Sequence, residues 1–349
     1  MDRFLEEYGK LKNKDPRLAK FYLALHYIAE GYGRGKALKL AKIGSVEFYK
    51  YARKRRFRKL LVEALSRGVN LFDTAEVYGA GVSERVIGEV FGNSDDVVVI
   101  SKIGGFRTTL DSILKGAEAI RRRLRRDSID VLLYHWPPPY YTPICRVIRS
   151  LEEVVNLGIA SYIGVSNFST KDLRNAMECL KKCDIVVNQV QYSLAYRTPE
   201  NKLKPFMEEH GIALMAWSPL AKGALAGKVK ADNTARKIDK VFKVASEDES
   251  LQSTLRKIAK DRNATLAQVA IAWLIAKNAL PVVGVRKEKH LEELVKASEL
   301  NLTVDEVKLL DSASEKYRKM WGVEYKHLRT FRALPGPIQQ LVIKLMGGF

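Results

Sequence analysis

The chain has 349 residues, 46% of them hydrophobic and 29% charged, with a formal net charge of +20. That length suits one large α/β domain with some chain to spare, and the composition allows a packed core under a solvated surface. No apolar run approaches the ~20 residues of a membrane-spanning helix, and the opening MDRFLEEYGK lacks the apolar centre of a secretory signal, so no membrane span and a cytoplasmic location are expected.

The positive charge is concentrated at one end. Residues 1–60 hold 17 Lys/Arg against 6 Asp/Glu, and the densest run is RKRRFRK at 53–59. Such a run can bind nucleic acid or another acidic surface; a solvated helix face on a basic protein is the plainer reading. Residues 1–57 read as a basic, mainly helical segment: a helix over Leu18 to Ala29, a turn at Gly31, Gly33 and Gly35, a helix over Lys36 to Ala41, a break at Gly44–Ser45, and a helix over Val46 to Lys54. GKALKLAKIGSVEFYKYARKR resembles a small helix-turn-helix.

From Arg58 the pattern alternates. A helix to Arg67 stops at Gly68, and a strand follows over Val69 to Thr74. Helix Ser83 to Phe91 leads to strand Val97 to Lys102, and helix Leu110 to Arg126 leads to strand Asp130 to His135. Helix Thr142 to Asn156 then precedes strand Ala160 to Ser166, and helix Thr170 to Leu180 precedes strand Ile185 to Gln191. Helix Pro199 to His210 precedes strand Ala213 to Ser218. After a charged loop from Ala221 to Glu249, helices Ser250 to Asp261 and Leu266 to Lys277 lead to strand Pro281 to Val285 and helix Glu288 to Ala297. Short strands alternating with amphipathic helices imply parallel βαβ units, here a (β/α)8 TIM barrel over residues 58–318 with an N-terminal helical extension. Seven strands are clear after residue 60; the eighth must come from the N-terminal segment, or the barrel is incomplete. A further helix spans Val304 to Lys316. Residues 319–349 form a tail whose IQQLVIKLM reads as a short apolar helix, expected to pack on the barrel. Cys145, Cys179 and Cys183 form neither a metal pattern nor a disulfide framework, and no metal site is expected; Cys179 and Cys183 share helical spacing and should be buried as small apolar groups.

Chemistry collects at the strand ends. VNLFDTAEVYG, DVVVISK and IDVLLYH rise from Val, Ile and Leu and end near Asp73 and Tyr78, Lys102, and His135. In a barrel those ends share one face, where active sites are built. A phenol is a poor acid at neutral pH; a nearby Lys102 ammonium would lower its pKa, Asp73 would hold Lys102, and His135 could orient a carbonyl oxygen. Together these groups can polarise a C=O while Tyr78 supplies the proton.

The blocks GVNLFDTAEVYG with SERVIGE, then LLYHWP, GVSNFS, NQVQYS and AWSPLAKG, resemble those of the aldo-keto reductase family, in the family's order. The resemblance covers about residues 58–300. It implies a catalytic tetrad of Asp73, Tyr78, Lys102 and His135, reversible NAD(P)H-dependent reduction of aldehydes or ketones, and a cofactor bound without a Rossmann motif; no GxGxxG follows a strand. It also implies that Ser166, Asn167 and Gln189 hold the nicotinamide carboxamide and that Trp217 stacks on the ring. Ser218, Leu220 and Gly223 would cover the pyrophosphate, and Arg286, Lys287, His290 and Glu293 would meet the adenosine end. Arg286 and Lys287 suit a 2′-phosphate, which favours NADP(H) over NAD(H), although Leu294 replaces an Asn usual in the family. Phe106, Trp136, Tyr140 and Tyr141 are expected to form an aromatic mouth for a small carbonyl or alcohol substrate. KLAKIGSVEF also resembles the family's first strand, which would place a strand at about Lys42 to Phe48 instead of helices. The alternative to an enzyme is a cofactor-sensing regulatory or nucleic-acid-binding protein built on a reductase-like barrel, similar to the family's channel-associated subunits.

Overall fold

The structure, a computed structural model, describes residues 6–7, 10–29, 38–39, 41–42, 45–227, 234–285, 287–321 and 328–345. The chain divides into two units, Met1–Glu63 and Ala64–Phe349. In the first, the helix Pro16–Ala29 starts where Asp15 Oδ1 accepts the Leu18 amide at 3.0 Å, a side-chain cap on an otherwise unpaired N–H. The helix Ser45–Ser66 runs unbroken through Val46–Lys54 and on from Arg58 to Ser66, one residue short of Arg67. Residues 45–48 are therefore helical, and the strand reading of Lys42 to Phe48 fails for them; residues 43–44 lie outside the described residues.

The second unit is a parallel barrel sheet. Its strands are β1 (Leu71–Asp73), β2 (Val98–Ile103), β3 (Ile129–Tyr134), β4 (Ala160–Ser166), β5 (Ile185–Gln191), β6 (Ala213–Trp217) and β7 (Ala279–Val282), hydrogen-bonded in sequence order. Every pairing is parallel. Helices return the chain between strands, as parallel pairing requires. No eighth strand occurs among the described residues, and β1 and β7 stand at the two ends of the sheet order.

Local sequence sets the element boundaries. The helix Leu110–Leu124 opens on a capping box at Thr109 and Ser112, buries Ile113, Ala117, Ile120 and Leu124 along one stripe, and ends where Arg125 turns left-handed. The helix Leu266–Ala276 opens on a second capping box, Thr265 with Gln268. The strands are buried on both faces near their centres, where Ile100, Leu133, Val187 and Met215 form one cluster. Register then levels the carboxyl ends: Lys102 lies beside Leu133, Ser166 beside Gln189, and Gln191 beside Trp217.

One expectation about the cysteines is overturned. Cys145 and Cys179 form a disulfide with Cα atoms 5.2 Å apart, joining the start of helix Ile144–Asn156 to the turn that follows helix Thr170–Met177. That helix ends before Cys179, so Cys179 and Cys183 do not share a helix face; Cys179 is buried, and Cys183 is a free, half-buried thiol. Spacing along the chain could not reveal a pairing that arises from two helices packing side by side.

Candidate active site

Asp73 is the last residue of β1, Lys102 lies one residue from the end of β2, and His135 follows β3; Tyr78 sits in the turn after β1. The sheet brings all four together. Lys102 Nζ donates to Asp73 Oδ2 at 2.6 Å and to the Thr74 carbonyl at 2.8 Å. The same Nζ stands 4.9 Å from the centre of the Tyr78 ring, and that ring meets His135 edge-on with centroids 5.7 Å apart.

Burial dominates the electrostatics. For Lys102, burial alone would lower the pKa, but the Asp73 carboxylate and the Tyr78 hydroxyl outweigh it and hold the group as an ammonium. His135 is pushed well below its ordinary value, by burial first and by the Lys102 charge second, so the ring is neutral near pH 7. Tyr78 corrects the sequence reading. Burial raises its phenol above the ordinary value, and Lys102 opposes that shift without reversing it. The phenol is thus kept protonated rather than made acidic.

The residues expected at the nicotinamide end form one hydrogen-bonded chain. Gln189 Nε2 donates to Asp73 Oδ1 at 2.8 Å, and the Gln189 carbonyl accepts from Ser166 Oγ at 2.8 Å. Asn167 Nδ2 donates to Ser166 Oγ and to the His135 carbonyl, while its Oδ1 accepts from Trp217 Nε1 at 2.9 Å. Asp73 is therefore fixed at both oxygens, and the tips of β4, β5 and β6 are tied to Asp73 and His135. Beyond Trp217, Ser218, Ala221, Lys222 and Gly223 all have positive φ. Within this turn the Ala221 amide donates to the Ser218 carbonyl at 2.9 Å and the Gly223 amide to the Leu220 carbonyl at 2.8 Å, which fixes its shape. Lys222 pairs with Asp239 at 2.6 Å, and Arg236 donates to the Lys222 carbonyl, so the segment at 236–239 braces this loop.

The adenosine-end residues follow β7. Lys287 is exposed and precedes the helix Glu288–Glu299, on which His290 and Glu293 lie about one turn apart; Arg286 is outside the described residues. Of the aromatic mouth, Phe106 and Trp136 come together with centroids 6.1 Å apart, and Trp136 lies 4.9 Å from His135. Tyr140 and Tyr141 are 56% and 61% exposed and serve as anchors for the C-terminal segment: Arg332 stacks on Tyr140, and the Gly336 amide donates to Tyr141 Oη at 2.9 Å.

Sequence reasoning missed two groups at the mouth. Glu76 accepts the Gly104 amide at 2.6 Å and pairs with Arg107 at 2.9 Å, holding the loop that carries Phe106. The helix Gly336–Leu345 docks against Trp136 through Gln339. A signal for the second exists in GPIQQLVIKLM: Gly336, Gln339 and Ile343 recur at helical spacing, which puts a polar residue on the apolar stripe.

A parallel barrel gathers an acid, an ammonium, a phenol and an imidazole at its strand tips, and comparison with known proteins gives its family. Residues 41–315 match the model of the aldo/keto reductase family, to which this chain belongs. It is 35% identical over 269 residues to an uncharacterized oxidoreductase of Mycobacterium tuberculosis, covering 75% of this chain and 82% of that one. It is 31% identical over 276 residues to the chloroplastic pyridoxal reductase of Arabidopsis thaliana, covering 73% and 76%. A probable voltage-gated potassium channel subunit beta from the same plant is 33% identical over 256 residues, covering 66% and 78%. Among solved structures, a thermostable aldo-keto reductase in complex with the inhibitor epalrestat is 33% identical with a TM-score of 0.66, covering 75% of this chain and 89% of its own. An aldo-keto reductase from Klebsiella pneumoniae in complex with NADPH is 28% identical with a TM-score of 0.64, covering 76% and 86%. The protein is thus an aldo-keto reductase built on a barrel, and no described helix is long and apolar enough to cross a membrane.

Proposed function

We propose that the protein reduces aldehyde or ketone carbonyls to alcohols with NADP(H), and that Tyr78 is the proton donor. The observation that supports this most is the buried Lys102–Asp73 pair lying against the ring of Tyr78, which in turn meets the ring of His135. An ion pair withdrawn from water is costly to maintain, and it has a use here: it stabilises the charge that Tyr78 acquires on giving up its proton.

The chain suits the nicotinamide cofactor. Ser166, Asn167, Gln189 and Trp217 cluster beside Asp73 and His135, Gly223 in the turn after β6 has no Cβ to hold a pyrophosphate off the backbone, and Lys287 at a helix start suits a further phosphate. When bound, the reduced nicotinamide supplies a hydride to the carbonyl carbon. His135, neutral, orients the carbonyl oxygen by a hydrogen bond. Tyr78 Oη passes its proton to that oxygen as the C–H bond forms, and Lys102 stabilises the phenolate left behind. Asp73 keeps Lys102 charged and in place, and Tyr78 recovers its proton from solvent. Bound NADPH is expected to quench Trp217 fluorescence and to be consumed with aldehydes, and NADH should bind more weakly. Failure of the folded protein to bind either dinucleotide would contradict this reading. The cofactor-sensing alternative is not favoured, because Asp73, Lys102, Tyr78 and His135 lie together at the strand tips.

A further inference from the structure

Gln339 has no exposed surface, and each polar atom of its side chain is used. Its Oε1 accepts from Trp136 Nε1 at 3.0 Å, and its Nε2 donates to the carbonyls of Phe331 and Leu334 at 3.1 and 3.0 Å. The indole so held lies beside His135 and meets Phe331 edge-on at 5.6 Å. Ile343, one turn beyond Gln339, is buried with Ala75, Val77 and Trp136, and Tyr78 and Phe106 pack against that cluster. The approach depends on Gly336, where a Cβ would stand 2.7 Å from the Phe106 carbonyl oxygen. This side of the acid–base site is therefore formed by chain beyond residue 315, where the family match ends.

Two cations near this wall are engaged. Arg107 is bound to Glu76 and to the Ser112 carbonyl, and Arg332 to the Pro138 carbonyl and Asp172. An indole N–H that already has a buried acceptor cannot be offered to a substrate, and an anion set against an apolar surface loses its hydration uncompensated.

We propose that Gln339 is a specificity-determining residue on the substrate side: by taking up the Trp136 N–H it leaves an apolar wall, so the enzyme prefers carbonyl compounds with uncharged apolar bodies over those that carry a carboxylate. This rests on the reading of Tyr78 and its neighbours as the carbonyl-reducing site. The test is kcat/KM for benzaldehyde and for 4-carboxybenzaldehyde. Wild-type protein should prefer benzaldehyde by about tenfold or more. Gln339→Met, similar in length, frees the indole N–H and should move that ratio about tenfold toward the carboxylate, chiefly through its KM. Gln339→Glu keeps an acceptor for the indole while adding negative charge; it should move the ratio the other way, and it decides the matter if the Met variant does not fold. An unchanged ratio in the folded variants, or a wild type without preference, overturns the assignment of Gln339 while leaving carbonyl reduction standing. No NADPH-dependent turnover of either aldehyde by folded wild type overturns the reading of the site, and this proposal with it.

Discussion

Lys102 donates to Asp73 at 2.6 Å from a position with no solvent exposure. Asp73 is held from its other side by Gln189, whose own neighbours Ser166 and Asn167 reach to Trp217. The Lys102–Asp73 pair and the expected nicotinamide residues thus form one hydrogen-bonded structure rather than two adjacent ones.

Removing the carboxylate should therefore affect both stability and function. Asp73→Asn leaves an ammonium buried without its counter-charge, at a cost of about 3–5 kcal/mol. Urea denaturation should show this loss, and NADPH affinity should fall too, because Gln189 loses its charged acceptor. A variant as stable as wild type would mean that Lys102 discards its proton at little cost.

The neutral state of His135 sets a pH dependence. Its folded pKa is lowered, by burial and then by Lys102, whereas the unfolded chain takes up that proton near pH 6.5. The unfolded state therefore binds more protons below that pH. Stability from this group is full above about pH 6.5 and declines as pH falls, by up to about 1.4 kcal/mol per pH unit until the folded pKa is reached. His135→Gln should show a shallower decline between pH 7 and pH 5 in chemical denaturation; parallel profiles would contradict the assignment.

Discrimination between dinucleotides should reside at the start of helix Glu288–Glu299. Lys287→Ala should weaken NADPH binding by about tenfold, the loss of one charge-assisted phosphate contact, and leave NADH binding unchanged. Equal losses for the two would place Lys287 elsewhere on the cofactor or off it.

The Cys145–Cys179 disulfide closes a loop with a sequence separation of 34. Loop-entropy reasoning gives such a cross-link about 3–4 kcal/mol. Cys145→Ser, or reduction of the wild type, should lower the denaturation midpoint accordingly; a reduced protein of undiminished stability would show that the two helices hold position without the bond.

The strand tips were legible because the period of the chain switches from helical to extended just before Asp73, Lys102 and His135, and a barrel has one place for such ends. The family blocks pointed to Ser166, Asn167, Gln189 and Trp217, which the fold brings together. Three features were not legible. The disulfide depends on two helices packing side by side. The docking of Gln339 on Trp136 spans 203 positions and is decided by packing rather than by local propensity. The protonated state of Tyr78 reflects a contest between burial and the Lys102 charge, and a sequence names the participants without giving the depth of burial. The N-terminal strand reading failed for a different reason: its motif resemblance competed with strong helical periodicity, and helix prevailed at residues 45–48.

The central claim is that the Tyr78 hydroxyl delivers the proton during carbonyl reduction. Single-turnover measurement of NADPH oxidation by benzaldehyde tests it directly, with Tyr78→Phe beside wild type, since that change deletes one oxygen and keeps the ring. The account predicts a loss of about 10²–10⁴-fold in the oxidation rate with NADPH affinity unchanged. A folded Tyr78→Phe variant that oxidises bound NADPH at the wild-type rate would contradict it.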